Sequence, residues 1–286
     1  SKNLALGTEP RLKGQSYSAS EGWEYVGTFD NGATTEQLRF LGRAYEAHGD
    51  ACHARALQAG VEYVLQAQFP NGCWPQVYPL AGGYHDAATY NDDAMVHVLR
   101  LLQEVEERGR GWVPEATRDR VRAALRRGVD CVLASQVVVE GRPTVWAAQH
   151  DPLTLAPVAA RAYEPASLSG HESAGVVDFL MGLPGGDARV DVAVAAAAAW
   201  FRAHALQGLA YERRQLLKRP GAGPLWARFY EIGSNRPIFS NRDGIVRYRW
   251  EELGEERRLG YAWYTVSPAA TLRVYKARSG SSAAPK

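Results

Sequence analysis

Residues 35–65 read TEQLRFLGRAYEAHGDACHARALQAGVEYVL, with apolar side chains at helical spacing on both sides of a break. The two apolar sets are Leu38, Leu41 and Tyr45, then Leu57, Val61 and Leu65. Between them, His48-Gly49-Asp50 can end one helix and begin the next. Because the apolar positions recur every three to four residues, the stretch predicts two amphipathic helices joined as a hairpin.

The same plan occurs twice more along the chain. The second hairpin spans Ala94 to Val105 and Val121 to Leu133, and the third spans Ser173 to Leu183 and Val190 to Leu206. Each hairpin follows a cluster of polar residues that suit helix capping, and tryptophan-containing loops follow the hairpins. This repeat predicts an all-α protein, an α/α toroid of about three helical hairpins with long irregular loops that form a groove on one rim.

The segment from Gly72 to Met95 is irregular. Its glycine, proline, aromatic and acidic residues suit neither a helix interior nor a plain strand. A loop of about twenty residues inside a compact domain is usually functional, and the aromatic content argues against disorder. We expect Trp74, Tyr90 and His85 to contact a ligand there. For His85, and for His150 in a later loop, the sequence leaves open whether the ring binds substrate or satisfies backbone groups.

Composition excludes several classes of protein. The 33 basic and 31 acidic residues nearly balance, so the broad positive field of a nucleic-acid-binding protein is missing. No apolar run approaches the roughly 18 residues of a membrane span. No linker or charge run divides the 286 residues, so we predict a single domain over residues 1–278, followed by a disordered tail over 279–286. Nothing in the sequence indicates oligomerisation, so we expect a monomer.

Three cysteines, Cys52, Cys73 and Cys131, are too few for a dense disulfide framework and lack the spacing of a zinc ribbon. One disulfide with a leftover thiol is compatible with the sequence. We favour three buried thiols, because Cys52 and Cys131 lie in helical patterns, where cysteine usually packs as a small apolar group.

Arginines in loops point to an anionic ligand. Arg161, Arg228 and Arg242 each lie close to aromatic residues, and Arg236 lies between the last two. A guanidinium binds a carboxylate through two parallel hydrogen bonds, and aromatic faces stack on sugar rings. The combination indicates a site for an acidic saccharide.

Two acidic clusters offer oxygen ligands. Asp30 and Asn31 form the first, and Asn91, Asp92 and Asp93 form the second. Oxygen donors of this kind suit calcium, whereas zinc prefers histidine or cysteine. The spacing is not that of an EF-hand, so calcium is one reading and helix capping is the other.

Several motifs lie in order between Asp30 and Tyr264. They are Asp30-Asn31-Gly32-Ala33-Thr34, Trp74-Pro75-Gln76 with Tyr78-Pro79, Gly83-Tyr84-His85-Asp86, Tyr90 to Met95, Ala160 to Pro165 and Arg242-Asp243-Gly244. Together they resemble the pectate lyases of polysaccharide lyase family ten over nearly the whole chain. Cys73 departs from the pattern, because a glycine is expected before the tryptophan.

The resemblance implies a helical toroid whose catalytic domain cleaves polygalacturonate by β-elimination, with calcium assistance and an arginine base, to give 4,5-unsaturated oligogalacturonides. It makes Arg242 the base and Arg161 and Arg228 the partners of substrate carboxylates. Asp30 and Asp92 become the acids near calcium, with Asn31 close by. Since a guanidinium normally titrates above about pH 12, activity should rise into the alkaline range. We expect endo cleavage, because no insertion evidently blocks the rim.

Two other functions remain open at this point. An inverting glycoside hydrolase acting on an acidic polysaccharide would use two opposed carboxyl groups, such as Asp30 or Asp92 with Glu164. A non-catalytic saccharide-binding module would need only the arginines and aromatic residues. Because a pectate lyase meets its polymer outside the cell, we expect the protein to be secreted, either extracellular or periplasmic.

Overall fold

The computed structural model describes residues 27–108 and 111–281, and all structural statements below refer to them. About half of these residues are helical. The chain divides into two compact units, one ending at Val132 and one beginning at Leu133. Within the described ranges, no helix has the length and apolar character needed to cross a bilayer. The single domain over residues 1–278 stays a prediction.

The first unit is built on two helix pairs. Its helices are α1 (Ala33–His48), α2 (Ala51–Gln66), α3 (Ala94–Arg108) and α4 (Glu115–Ala134), with 3-10 turns at Asp30–Gly32, Gly83–Asp86 and Asn91–Asp93. Strand β1 (Gly27–Thr28) pairs antiparallel with β2 (Val77–Tyr78), and β3 (Ala88–Thr89) follows. These bounds confirm the first two predicted helix pairs, although residues 109 and 110 of the second break lie outside the described ranges.

A glycine lies where α1 packs on α2. A Cβ atom at Gly60 would lie 2.0 Å from the side chain of Leu38, so a larger residue there would force that side chain to move. The left-handed Gly49 (φ +66°) ends α1, and the Asp50 carboxylate accepts a hydrogen bond from Cys52 N at 2.7 Å as α2 begins. The break at His48-Gly49-Asp50 that the sequence predicted is therefore the connection between α1 and α2.

The second unit carries helices α5 (Glu172–Gly182), α6 (Ala188–Ala203), α7 (Glu255–Gly260) and α8 (Ser267–Ser281). Helices α5 and α6 confirm the third predicted pair, and both pack against α8. Helices α7 and α8 were not predicted. Of the predicted tail, residues 282–286 lie outside the described ranges, whereas α8 continues to Ser281.

Eleven short strands accompany these helices. They are β4 (Val138–Val139), β5 (Arg142–Pro143), β6 (Gln149–His150), β7 (Leu168–Ser169), β8 (Leu209–Glu212), β9 (Gln215–Lys218), β10 (Trp226–Ala227), β11 (Phe229–Tyr230), β12 (Phe239–Ser240), β13 (Val246–Arg247) and β14 (Tyr264–Thr265). Antiparallel hairpins form from β4 and β5, β8 and β9, and β12 and β13. Strand β7 pairs with β11, and β10 pairs with β14.

The predicted all-α toroid is therefore wrong. The described residues include fourteen strands, of which twelve are two residues long. A two-residue strand is too short to show the alternation of apolar and polar residues by which strands are recognised. Long-range pairing forms several of these strands, and that information is not local in the sequence.

The three cysteines also differ from the prediction of three buried thiols. Cys73 and Cys131 form a disulfide with Cα atoms 5.5 Å apart, and Cys52 is a free, exposed cysteine. The disulfide attaches the loop before Trp74 to α4. Cys73, the departure from the family pattern, thus takes part in a covalent cross-link that a glycine could not make.

Candidate active site

Two turns of the first unit share one backbone conformation. In the turn at Asp30–Gly32, φ is +48° at Asn31 and +70° at Gly32; in the turn at Asn91–Asp93, φ is +49° at Asp92 and +59° at Asp93. Each turn leads directly into a helix, and the two turns contact each other. Left-handed backbone is uncommon for residues other than glycine, asparagine and aspartate, and it concentrates at functional sites.

The side chains of the two turns are related by an exchange of acid and amide. Asn31 Nδ2 donates to Asp30 Oδ2 at 3.1 Å, and Asn91 Nδ2 donates to Asp92 Oδ2 at 2.8 Å. The acid precedes the amide in one turn and follows it in the other. Gly32, the residue before α1, makes no side-chain cap, so the first cluster does not act as the helix cap that its composition allowed.

These turns supply hard oxygen donors. Asp30 Oδ1 is buried and has no hydrogen-bond partner among the described residues. Among all the residues that the structure describes, no group of three or more His, Cys, Asp or Glu side chains is arranged to hold a metal ion. Asp30 and Asp92 thus lie on adjoining turns with the chemistry that calcium prefers, and further oxygen ligands would have to be amides, water or substrate.

The loop after α2 is organised by buried aromatic side chains. Trp74 is fully buried, and its indole N–H donates to Val64 O in α2 at 2.8 Å. Tyr90 is also fully buried, whereas His85 is half-buried with its ring 3.9 Å from the ring of Tyr84. Since a buried ring offers no face to a sugar, the positions of Trp74 and Tyr90 do not support the predicted substrate contact.

In the second unit, the loops that begin at Trp146 and Trp226 follow the same course. Leu155 N donates to Asp151 O and Asn235 N donates to Glu231 O, both at 2.9 Å, and Leu155 and Asn235 are both left-handed. The Trp226 indole donates to Phe201 O in α6, as the Trp74 indole does to α2. Two of the repeated tryptophans predicted from the sequence, Trp74 and Trp226, thus share a structural role, which is to fasten a loop to the preceding helix.

His150 is a buried part of this repeated loop. Its Nε2 accepts a hydrogen bond from Ala147 N at 3.1 Å, and its Nδ1 lies 2.8 Å from Leu155 O. Burial lowers the pKa of His150 to about 4, against the weaker effect of these two backbone groups. The ring is therefore neutral with its proton on Nδ1, and its position supports the backbone-satisfying role over direct substrate contact.

Four arginines of the second unit surround two tyrosine rings. Measured from guanidinium carbon to ring centroid, Arg257, Arg161 and Arg242 lie 4.4, 5.2 and 5.6 Å from Tyr163, and Arg228 and Arg161 lie 5.0 and 5.9 Å from Tyr261. We call these six residues the arginine–tyrosine cluster. The fold thus brings together three of the four loop arginines that the sequence singled out, together with Arg257, which it did not. The fourth, Arg236, lies 3.8 Å from the ring centroid of Tyr248.

Arg161 is held by a carboxylate beside it. Its Nε and Nη2 donate to the two oxygens of Glu164 at 2.7 and 2.6 Å, and the Tyr261 hydroxyl donates to Glu164 Oε1 at 2.6 Å. Hydrogen bonding to Glu164 raises the pKa of Arg161 above its usual value. The Arg161 side chain stays 39% exposed, so the guanidinium is fixed and still accessible.

Arg228 forms a buried ion pair. Its side chain is 7% exposed and contacts Glu172, whose side chain is fully buried. Burial alone would raise the pKa of Glu172, but the charges of Arg228 and His171 and a hydrogen bond from Ser169 outweigh it and lower that pKa. Glu172 is therefore ionised and fixes Arg228. The sequence pattern assigned Glu172 only to a cluster of helix-capping residues. It did not indicate the ion pair, because Arg228 lies 56 residues away along the chain.

Arg242 lies at the exposed edge of the cluster. Its Nη2 donates to Glu256 Oε1 at 2.9 Å, and the Arg257 Nε donates to Glu256 Oε2 at 2.7 Å. Hydrogen bonds from Arg257 and then Arg242 lower the pKa of Glu256 to about 2. Arg257 itself is buried, whereas Arg242 is 65% exposed. Glu256 and Arg257 lie on α7, which no sequence signal indicated.

The predicted site residues thus form two groups. Asp30, Asn31 and Asp92 lie together in the first unit, and Arg161, Arg228 and Arg242 lie together in the second. Each group has side chains of the kind that the resemblance required.

Comparison with known proteins gives one consistent result. A sequence model of the pectic acid lyase family matches residues 1–272. A variant of a family 10 polysaccharide lyase from Cellvibrio cellulosa, solved in complex with trigalacturonic acid, is 34% identical, with a TM-score of 0.84 over 94% of this chain and 87% of that one. A second structure of the Cellvibrio cellulosa lyase is 32% identical, with a TM-score of 0.85 over 93% of this chain and 88% of that one. No curated protein matches.

The family model extends over most of the chain, and the solved lyases match the structure of this chain closely. The fold is accordingly that of these lyases and not the helical toroid expected from the sequence. Because the family model matches residues 1–272 and the solved lyases share the fold, the chain belongs to the pectic acid lyase family.

Proposed function

We propose that this pectate lyase cleaves polygalacturonate by β-elimination, with Arg242 as the base and with Arg161 and Arg228 as partners of substrate carboxylates. The observation that carries the proposal is the arginine–tyrosine cluster, in which Glu164 and Glu172 fix Arg161 and Arg228, and Glu256 pairs with the exposed Arg242. A polyuronate has one carboxylate on each ring, and fixed guanidinium groups are the side chains best suited to it.

The reaction needs charge stabilisation at one carboxylate. The proton leaves carbon 5 of a galacturonate ring, which puts further negative charge on the carboxylate attached to that carbon. The bond between carbon 4 and the leaving oxygen then breaks, a double bond forms between carbons 4 and 5, and the leaving oxygen takes a proton. Arginines that are already oriented stabilise this charge without having to reorganise.

Arg242 suits the base role by position. It is the most exposed of the three arginines, so its guanidinium can reach a substrate proton, and its ion pair with Glu256 is also exposed and easily opened. Because a guanidinium gives up its proton only at high pH, the rate should rise into the alkaline range.

Asp30 and Asp92 would hold a calcium ion, with Asn31 near them. The buried Oδ1 of Asp30, which has no hydrogen-bond partner in the described ranges, and the all-oxygen donor set fit this ion. When bound, calcium would lower the cost of the added charge on the substrate carboxylate. Trp74, Tyr90 and His150 would support the loops from within, and His85 would remain the aromatic candidate for direct contact.

Absorbance of the unsaturated product provides the test. We expect polygalacturonate at alkaline pH to give rising ultraviolet absorbance, a loss of that signal after chelation, and its recovery with added calcium. Arg242→Ala should abolish turnover while retaining polymer binding. Arg249→Ala is the matched control, because Arg249 is similarly exposed and pairs only loosely with its neighbours. New reducing ends without absorbance would instead indicate hydrolysis and refute the proposal.

Secretion belongs to the same proposal. The Cys73–Cys131 disulfide supports it, because such bonds form and persist in oxidising compartments. Endo cleavage would appear as a rapid fall in polymer viscosity relative to product release. Release of product without that fall would indicate cleavage from chain ends.

A further inference from the structure

The β8–β9 hairpin has an unusual turn. Glu212 pairs with Gln215, so Arg213 and Arg214 alone form the loop, and their φ angles are +49° and +64°. Two-residue hairpin turns with positive φ at both positions strongly prefer asparagine and glycine, because left-handed backbone is unfavourable for larger side chains. Two arginines occupy the positions where local stability would favour Asn-Gly, which suggests that they are present for their charge.

The hairpin is rich in cations that are not neutralised within it. Arg213, Arg214 and Lys218 are exposed, and none of them has an ion-pair partner in the part of the chain that the structure describes. Arg219, also exposed, differs because it forms two hydrogen bonds with the Glu212 carboxylate. Three positive charges without an acidic partner on one small hairpin make a local site for an anionic chain.

The hairpin is hydrogen-bonded to the arginine–tyrosine cluster through Tyr211, which lies one residue before the pair that closes the turn. The Tyr211 hydroxyl donates to Tyr261 O at 3.1 Å and accepts from Trp263 N at 3.4 Å. The rings of Tyr211 and Tyr264 lie 5.3 Å apart between centroids. Tyr261 is itself a member of the cluster, so the hairpin is a direct extension of the structure that holds Arg161 and Arg228.

We propose that the β8–β9 hairpin is an accessory binding site for anionic polysaccharide, which contacts carboxylates of a polyuronate chain beyond those held by the arginine–tyrosine cluster. This inference rests on the proposed function for the identity of the polymer. The hairpin strengthens binding of long chains and takes no part in bond cleavage. Its charges act through exposed contacts, so their effect weakens as salt is added.

The turn itself offers a clean test. The double variant R213N/R214G removes both charges and installs the residues that the turn prefers, so the melting temperature should be unchanged or higher. We expect KM for polygalacturonate to rise roughly fivefold at low ionic strength, with kcat unchanged, because two exposed charge contacts are lost. Affinity for trigalacturonate, measured by titration calorimetry, should stay at the parent value.

The control R142Q/K276Q removes two exposed charges from other elements of the same unit, β5 and α8. It should leave KM for the polymer within error of the parent. An equal rise in KM for the control, an unchanged KM for R213N/R214G, or an equal loss of affinity for trigalacturonate would each overturn the accessory site. If the parent chain makes no unsaturated product, the proposed function fails, and retardation in a polygalacturonate affinity gel then tests the hairpin by itself.

Discussion

Replacing Glu172 with glutamine should damage both stability and activity through Arg228. The Glu172 side chain is fully buried and Arg228 is 7% exposed, so the two charges form an ion pair largely removed from water. Glutamine keeps the shape and can still bond to Ser169, but it removes the buried negative charge that faces the Arg228 guanidinium. Breaking a buried pair from one side is costly, because the remaining charge stays buried and unpaired.

The expected loss in the free energy of unfolding is roughly 3–5 kcal/mol near neutral pH. It should appear as a lower midpoint of urea unfolding with an unchanged slope. The loss should depend on pH. The pKa of Glu172 is lowered in the folded state, so its contribution is present above the ordinary carboxyl range and disappears as the pH falls through the folded pKa. Parent and variant should converge in acid.

Activity separates the positioning role from plain stability. The double variant E172Q/R228M removes the pair as a whole, so much of the lost stability should return. Its activity on polygalacturonate should stay about 100-fold below the parent, because the substrate carboxylate has lost a fixed partner. Recovery of both quantities in the double variant would show that Arg228 is not needed for catalysis.

The matched control is Asp187→Asn. Asp187 pairs with Arg189 at 2.7 Å at the start of α6, in the same unit, and the two side chains are 34% and 64% exposed. Exposed pairs contribute little, so this variant should unfold at the parent midpoint. The reasoning is refuted if Glu172→Gln costs no more stability than Asp187→Asn.

Three further predictions concern other parts of the chain. The variant C73S/C131S should lose about 4 kcal/mol of unfolding free energy, from the chain entropy of a cross-link between residues 58 apart, with Cys52→Ser as an unaffected control in urea unfolding. Burial lowers the pKa of His150 from 6.5 to about 4, so between these pH values the unfolded state is protonated at this ring and the folded state is not. The free energy of unfolding should therefore fall by up to about 3 kcal/mol between pH 6.5 and 4. In His150→Gln, the free energy measured by urea unfolding should depend less on pH over this range. Glu256→Gln removes the carboxylate paired with Arg242, so the rise of kcat/KM with pH should begin at lower pH in the variant than in the parent; an unmoved profile would count against Arg242 as the base.

Much of the helical part of the fold was predictable. Helices α1 to α6 follow from apolar spacing and from Gly and Pro breaks, and α2 begins where Asp50 indicated it. These signals act over a few residues, so the chain displays them locally. Helices α7 and α8 and the fourteen strands did not emerge, because short elements depend on partners that are distant in sequence.

The site shows the same division. The motifs pointed to Asp30, Asp92, Arg161, Arg228 and Arg242 because unusual residue types recur in loops. They could not separate residues that face solvent from those that build the loop, and Trp74 and Tyr90 prove to be buried. An aromatic residue beside a glycine or proline looks the same in either role.

By itself, the sequence determined the family, the chemistry of the substrate and the amphipathic helix pairs, since residue type and spacing carry that information directly. Tertiary structure alone decided that Cys73 meets Cys131, that Glu172 neutralises Arg228, and that Glu256 joins Arg242 to Arg257. The physical reason is that ion pairs, cross-links and burial depend on which side chains meet in space. Contacts across 58 and 56 residues leave no periodic trace along the chain.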